Sequence, residues 1–391
     1  VTSSPRDPVD PDAAPATADD TATAPADATL PFLDDDAAAP PAEVITPRAI
    51  TTAVATVALS LLLAAGATVP LPYAITAPGP TVDTLGEVDG TPLIDIEGAE
   101  VYPTSGELRL TTVSTSGGPG YPVTLGDVLR AWVSGARSAV PVEAVFAPQD
   151  TRDEIDDLNQ AEMISSQENA TVAALEELGY EVPTTLTVAD AVEGTGADGV
   201  VQTDDVITSL DGEPMTSFSA LSAAMDEVSP GETIRLGVTR GGEPYDLEVV
   251  TQDDGTGRAI IGVLIDPTFD FPVDVTIGIE DIGGPSAGTM FALGIIDRLT
   301  PEDEAAGQVI AGTGTMDLTG QVGPIGGIRQ KLFGAERDGA TWFLAPADNC
   351  DEVVGHVPGG LTVVRIGTLA EARAAVAAIG AGDGGDLPGC S

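Results

Sequence analysis

Ser286 stands in the run Gly283-Gly284-Pro285-Ser286-Ala287-Gly288, and Lys331, the only lysine in a chain of 391 residues, stands in Gly326-Gly327-Ile328-Arg329-Gln330-Lys331-Leu332. A serine hydroxyl attacks a carbonyl only when a base takes its proton. The chain offers two side chains for that task, Lys331 and its single histidine, His356. His356 lies in the polar, loop-like run Val353-Val354-Gly355-His356-Val357-Pro358, which reads as surface. Lys331 lies beside an apolar stripe of Ile328, Leu332 and Ala335 at helical spacing. A lysine drawn out of water loses the solvation of its ammonium, and a fall from about 10.4 toward 7 to 8 corresponds to roughly 4 kcal/mol of differential stabilisation. The result is a neutral amine able to accept a proton; arginine, always charged, cannot do this. The chemistry these residues could perform is acyl transfer to serine with lysine as the base. Each run alone also fits a plainer role: a glycine turn before a capped helix, and a lysine left by drift in a lysine-poor chain.

The elements that must position this pair follow from local pattern. Pro285 suits the first turn of a helix, Met290, Phe291, Ile295 and Ile296 recur at helical spacing, and Thr300-Pro301 stops the run. Ser286 is therefore expected in the first turn, where free N–H groups and the positive end of the helix dipole could stabilise an oxyanion. Gly283, Gly284 and Gly288 would let a peptide backbone approach closely. From residue 259 onward strands and helices alternate in an α/β arrangement.

Residues 1–47, rich in Pro, Ala and Asp, are expected to be a disordered acidic tail, unable to bury enough surface to offset ordering. Residues 48–72 read as a transmembrane helix, because Ala49 to Val69 carries no charge. A cleaved signal peptide is the rival, given Ala65-Gly66-Ala67. Arg48 is the one base flanking that segment on its N-terminal side, so the N-terminus is expected in the cytoplasm and the folded domains outside, with membrane contact through residues 49–70. Residues 73–150 alternate apolar and polar positions and read as a strand-rich extracytoplasmic region. Residues 151–252 read as a helical segment, ending near Gly179, followed by short strands around one helix, with a hairpin across Arg240-Gly241-Gly242. Residues 253–380 hold the α/β pattern, and 381–391 read as a flexible tail. The fold class is thus multi-domain α/β (α+β). With 62 acidic against 15 basic residues, the chain would repel nucleic acid. Cys350 and Cys390 lack metal-site spacing, and one histidine leaves few partners for zinc, so neither metal nor cofactor is expected. Whether the two cysteines pair is left open.

The strand, helix and hairpin of residues 185–250, with Asp204-Asp205-Val206-Ile207 and Asp211-Gly212, resemble a bacterial PDZ domain, which implies peptide binding by strand addition. The segment in the place of its carboxylate loop, Gly179 to Leu186, is atypical. GGPSAG at 283–288, followed by TGTMDLTGQVGPIGGIRQKLFGAERDG at 313–339, resembles the proteolytic domain of Lon-type serine peptidases. The resemblance implies a Ser-Lys dyad: Ser286 as nucleophile, Lys331 as general base 45 positions later, and Thr313 beside them, with Gly284, Pro285 and Gly288 supporting the loop. Gly283 and Thr315 depart from the acidic residues many members carry there. A Walker A loop needs its own lysine, and the only one is already placed. With one membrane helix, the whole resembles the membrane-anchored, PDZ-containing Lon-like proteases of Gram-positive bacteria, a likeness that includes PYAITAPGP and ISSQENA. It implies an ATP-independent endopeptidase acting on exposed or unfolded protein segments, with the PDZ domain selecting or gating substrates. Ring-shaped homo-oligomers, common among Lon-type domains, are a further expectation. The competing reading is a catalytically silent, membrane-tethered scaffold. A Ser-His-Asp hydrolase is disfavoured because it needs a histidine base, and the one histidine, His356, reads as surface.

Overall fold

The computed structural model describes residues 46–88, 90–147, 149, 151–279 and 282–390. The expected disordered tail therefore lies almost wholly outside the described residues. Two units are distinguished, Val1–Leu59 and Ser60–Ser391. Helix α1, Pro47–Thr68, spans their boundary and is long and apolar enough to cross a membrane. Its threonine hydroxyls are turned inward on the helix itself: Thr51 Oγ1 donates to the Pro47 carbonyl and Thr56 Oγ1 to the Thr52 carbonyl, both at 2.9 Å. Such internal pairing lets threonine sit in an apolar helix without an unmet donor.

After α1 the chain forms β1 (Tyr73–Asp83), β2 (Ile94–Glu97), β3 (Glu107–Ser116), α2 (Leu125–Val133), β4 (Ser138–Pro141) and α3 (Arg152–Glu177). Next come β5 (Thr184–Ala191), β6 (Val206–Leu210), α4 (Phe218–Asp226), β7 (Thr233–Arg240), β8 (Glu243–Val250) and β9 (Val263–Phe269). The remainder is β10 (Asp274–Ile277), α5 (Gly288–Leu299), β11 (Val309–Gly312), α6 (Ile328–Arg337), β12 (Trp342–Pro346), β13 (Thr362–Ile366) and α7 (Leu369–Gly380). Two-residue strands and single-turn helices are left unnumbered.

One six-stranded sheet has the order β13-β12-β11-β3-β1-β4. Its β13, β12, β11 and β3 are mutually parallel, and β1 runs antiparallel to both β3 and β4. Side chains of successive strand residues point to opposite faces, and the strands fill two cores accordingly. Ile310, Leu344, Val364 and Ile366 pack with α3, α5 and α7, whereas Ala311, Phe343 and Ala345 pack with Ile328, Leu332 and Ala335 of α6. A parallel strand buried on both faces must be apolar at nearly every position, as Trp342-Phe343-Leu344-Ala345 is.

This sheet crosses the boundary expected near residue 150. Segment 73–150 supplies β1, β3 and β4 while β11 to β13 come from 309–366, because the open edge of β11 takes β3 as its parallel partner, Leu108 beside Ile310. The strand-rich region therefore supplies half of this sheet and is not a body of its own. Helix α3 likewise leaves the PDZ-like segment: its Met163, Ala170 and Leu175 share a core with Met290 and Phe291 of α5.

The second sheet, β8-β7-β6-β5-β9, is antiparallel throughout and closes on its own core with Leu221 of α4. Its last strand, β9, lies beyond the boundary expected at residue 252. The PDZ-like body thus runs from about β5 to β9 and is inserted between α3 and β10, and β10 returns to the first body by pairing with β2. Nor is the C-terminal segment a loose tail. Cys390 is bonded to Cys350, Leu387 packs on the main core, and the Arg365 N–H donates to the Pro388 carbonyl at 2.8 Å.

Candidate active site

Lys331 is carried on α6 by residues that bury nearly all of its side chain and leave it at the foot of a cleft. Gly327 caps the helix in the left-handed region at φ 72°. Ile328, Leu332 and Ala335 anchor the helix face against the sheet, and Lys331 is 2% exposed. Its Nζ donates to Ser286 Oγ at 2.7 Å and to Thr313 Oγ1 at 2.8 Å. Lys331 makes no ion pair among the described residues, and burial lowers its pKa from the usual lysine range to about 7. Desolvation penalises the ammonium, and no carboxylate offsets that penalty.

Thr313 follows β11 and is buried; its Oγ1 donates to the Ser286 carbonyl at 2.9 Å. A hydroxyl has one hydrogen. With that hydrogen given to the carbonyl, Thr313 can only accept from Lys331, so one N–H of a neutral lysine goes to threonine and the amine lone pair is free to face the serine hydroxyl. The single bond thus fixes both the orientation of the amine and the position of the Ser286 backbone.

Helix α5 begins at Gly288 with Ala287 as its cap, so Ser286 sits in the turn before the helix and not in its first turn. The reason lies in the Ser286 carbonyl, which accepts from the Gly314 N–H at 3.0 Å as well as from Thr313 and is not released to a helical bond. From the opposite side α3 holds the loop: the Gly284 N–H donates to the Asn159 carbonyl at 2.9 Å, and Ser166 Oγ donates to the Pro285 carbonyl at 3.0 Å. Gly284 needs its glycine, with φ 86°. The backbone N–H groups of Ser286 and Ala287 have no acceptor among the described residues, so both are available to an oxyanion.

The dyad candidates open on a cleft of about 390 Å3 whose walls include Thr112, Val113 and Ser114 of β3, Asn159 and Glu162 of α3, and Gly326. Beyond Leu110 β3 no longer pairs with β11. Residues 112–116 therefore present a bare strand edge on that side, the geometry that accepts an extended peptide. His356 is elsewhere occupied, its Nδ1 lying 3.1 Å from the Val354 carbonyl. Ser286, Thr313, Lys331, Gly284, Pro285 and Gly288 are all brought together. Sequence reasoning missed Asn159, Glu162 and Ser166. Ser166 lies within the quoted ISSQENA run, but nothing in its spacing tells that α3 would cross beside Pro285. Among the described residues no cluster of three His, Cys, Asp or Glu side chains could hold a metal ion.

A profile of the Lon protease (S16) C-terminal proteolytic domain matches residues 268–374, and a PDZ domain profile matches residues 153–251. The chain carries both a Lon-type proteolytic domain and a PDZ domain. Lon protease 1 of Bacillus subtilis (strain 168) is 35% identical over 106 residues, which are 26% of this chain and 13% of that protein. Lon protease 1 of Sorangium cellulosum (strain So ce56) is 37% identical over 108 residues, 27% of this chain and 13% of the relative. The periplasmic pH-dependent serine endoprotease DegQ of Escherichia coli (strain K12) is 34% identical over 84 residues, 21% of this chain and 18% of the relative. The chain thus matches less than a fifth of the length of each of these relatives.

Proposed function

We propose that this protein is a serine endopeptidase that cleaves exposed or unfolded protein segments through a Ser286–Lys331 dyad, without ATP, while anchored to a membrane by α1. The observation that carries the reading is the buried Lys331 amine, 2.7 Å from Ser286 Oγ and with its pKa lowered to about 7. In the reaction the neutral amine takes the Ser286 proton as Oγ attacks the peptide carbonyl. The Ser286 and Ala287 N–H groups receive the developing oxyanion. The resulting ammonium then returns its proton to the leaving amine, and water releases the acyl group by the same exchange. Glu162 and the β3 edge would hold the substrate strand. Burying a lysine is costly for stability, and a silent scaffold would gain nothing from that cost.

A cleft whose β3 edge takes an extended strand suits chains that arrive already extended. The PDZ domain supports substrate selection or gating, because both ends of the insertion lead into the site: α3 on one side, β10 and the Ser286 loop on the other. Contact with the proteolytic body also runs through α4, where Ser219 Oγ donates to the Glu176 carboxylate of α3. A Cys350–Cys390 disulfide suits the oxidising side of a membrane.

Incubating the full chain with unfolded casein tests the dyad. Wild type should cleave, and Ser286→Ala, Lys331→Ala and Lys331→Arg should not. Cleavage by Lys331→Arg would refute the neutral-amine mechanism, and cleavage by Ser286→Ala would refute the nucleophile.

A further inference from the structure

Helix α2 buries Val128 and Ala131 in a small core with Ile75 and Val123. Its other large side chains do the opposite: Leu125, Leu129, Trp132 and Val133 are 43%, 49%, 63% and 87% exposed. At the helical repeat these four fall in one continuous arc about 100° wide, as a face made to be covered would. An exposed patch of this kind around a tryptophan marks an interaction surface. Arg130 flanks the arc, and Arg137 follows shortly after the helix. The one acid of α2, Asp127, is taken up by the Thr124 cap, accepting from its hydroxyl at 2.7 Å and its N–H at 3.1 Å. In a chain with 62 acids and 15 bases, this is a locally basic, apolar face.

Its place in the fold says what covers it. Leu71, three residues after α1 ends, donates its N–H to the Val123 carbonyl at 2.8 Å, and α2 begins two residues beyond Val123. Gly66, near the end of α1, lies against Leu125, since a Cβ there would stand 3.2 Å from Leu125 Cδ2. The apolar arc therefore starts at the foot of the one helix, among the described residues, that is suited to crossing a bilayer.

We propose that α2 is a membrane-docking helix, with Leu125, Leu129, Trp132 and Val133 entering the interfacial layer of the bilayer and Arg130 and Arg137 meeting anionic lipid headgroups. This rests on the reading of α1 as a membrane anchor. Tryptophan favours the headgroup level, and an amphipathic helix with a basic flank lies in the plane of the interface. Docking would hold the proteolytic body against the bilayer and favour substrates that emerge close to the membrane.

The test uses the full chain carrying Trp342→Phe, which leaves Trp132 as the sole tryptophan, in vesicles of equal parts phosphatidylcholine and phosphatidylglycerol with brominated acyl chains. Trp132 emission should be strongly quenched, more by shallow than by deep bromines, and Leu129→Glu with Val133→Glu should abolish the quenching. Arg130→Gln and Arg137→Gln should each shift the docked-to-undocked ratio by about five-fold in these vesicles and not in pure phosphatidylcholine. If carbonate extraction leaves the protein in the vesicles and Trp132 is unquenched, docking is refuted while the anchor stands. A concentration-dependent blue shift of Trp132 in that case would assign the face to a second copy of the chain. Release of the protein by carbonate would refute the anchor, and the docking proposal with it.

Discussion

At the residue scale the site turns on one proton. Lys331 has a folded pKa of about 7, below the ordinary lysine value, so the folded state binds fewer protons than the unfolded chain between about 7 and the unfolded value near 10.4. Stability should therefore rise with pH across that window. Below it both states are protonated and the full cost of a buried ammonium is felt. Lys331→Met should be more stable than wild type by up to about 5 kcal/mol below pH 7, with the gain fading toward pH 10 in urea melts. A gain that does not depend on pH would contradict the assignment. With Lys331 as the proposed base, the same group should set an acid limb, with kcat/KM falling about tenfold per unit below pH 7. Thr313 acts through Lys331 and Ser286, so Thr313→Val should lower kcat about 10- to 100-fold, leave KM nearly unchanged and move that limb. Thr313→Ser, which keeps the hydroxyl, should recover most of the loss. An unmoved limb would make Thr313 merely structural.

At the element scale the close approach of the α5 start to the strand after Thr313 is what brings Ser286 and Lys331 together. A Cβ on Gly288 would lie 2.9 Å from Met316 Cβ and 3.0 Å from both Met316 N and Ser166 Oγ. Backbone cannot yield as a flexible side chain can, so Gly288→Ala should cost about 1–3 kcal/mol and lower kcat, measured by thermal melts alongside turnover. Normal stability and normal turnover would show that the packing there is looser than the contacts imply. The sequence made the helices of Gly288–Leu299 and Ile328–Arg337 legible, because apolar positions recur at the helical period. It misplaced the start of the first, because the bonds that detain the Ser286 carbonyl come from Thr313 and Gly314, distant in sequence.

At the scale of the whole molecule the proteolytic body is discontinuous, assembled from residues on both sides of the PDZ insertion and fastened at its C-terminal end by Cys350–Cys390. Closing a loop of 40 residues restricts the unfolded chain, an effect of about 4 kcal/mol in the chain-entropy model. Reduction, or Cys390→Ser, should lower the thermal midpoint clearly while leaving the initial rate of casein cleavage intact at low temperature. Loss of activity without loss of stability would instead place the C-terminal segment at the site.

The sequence by itself determined the chemical possibilities: one lysine, one histidine, GGPSAG, a run of uncharged residues suited to a bilayer, and the strand and hairpin pattern of a PDZ domain. Those are local properties, carried by residue type and short-range period. Only the tertiary structure decided that residues 73–150 complete the proteolytic sheet, that α3 walls the cleft with Asn159 and Glu162, that Cys350 meets Cys390, and that Lys331 is buried. Strand partners, helix crossings and burial depend on contacts between residues far apart in the chain, and a pKa near 7 exists only once those contacts have removed the water.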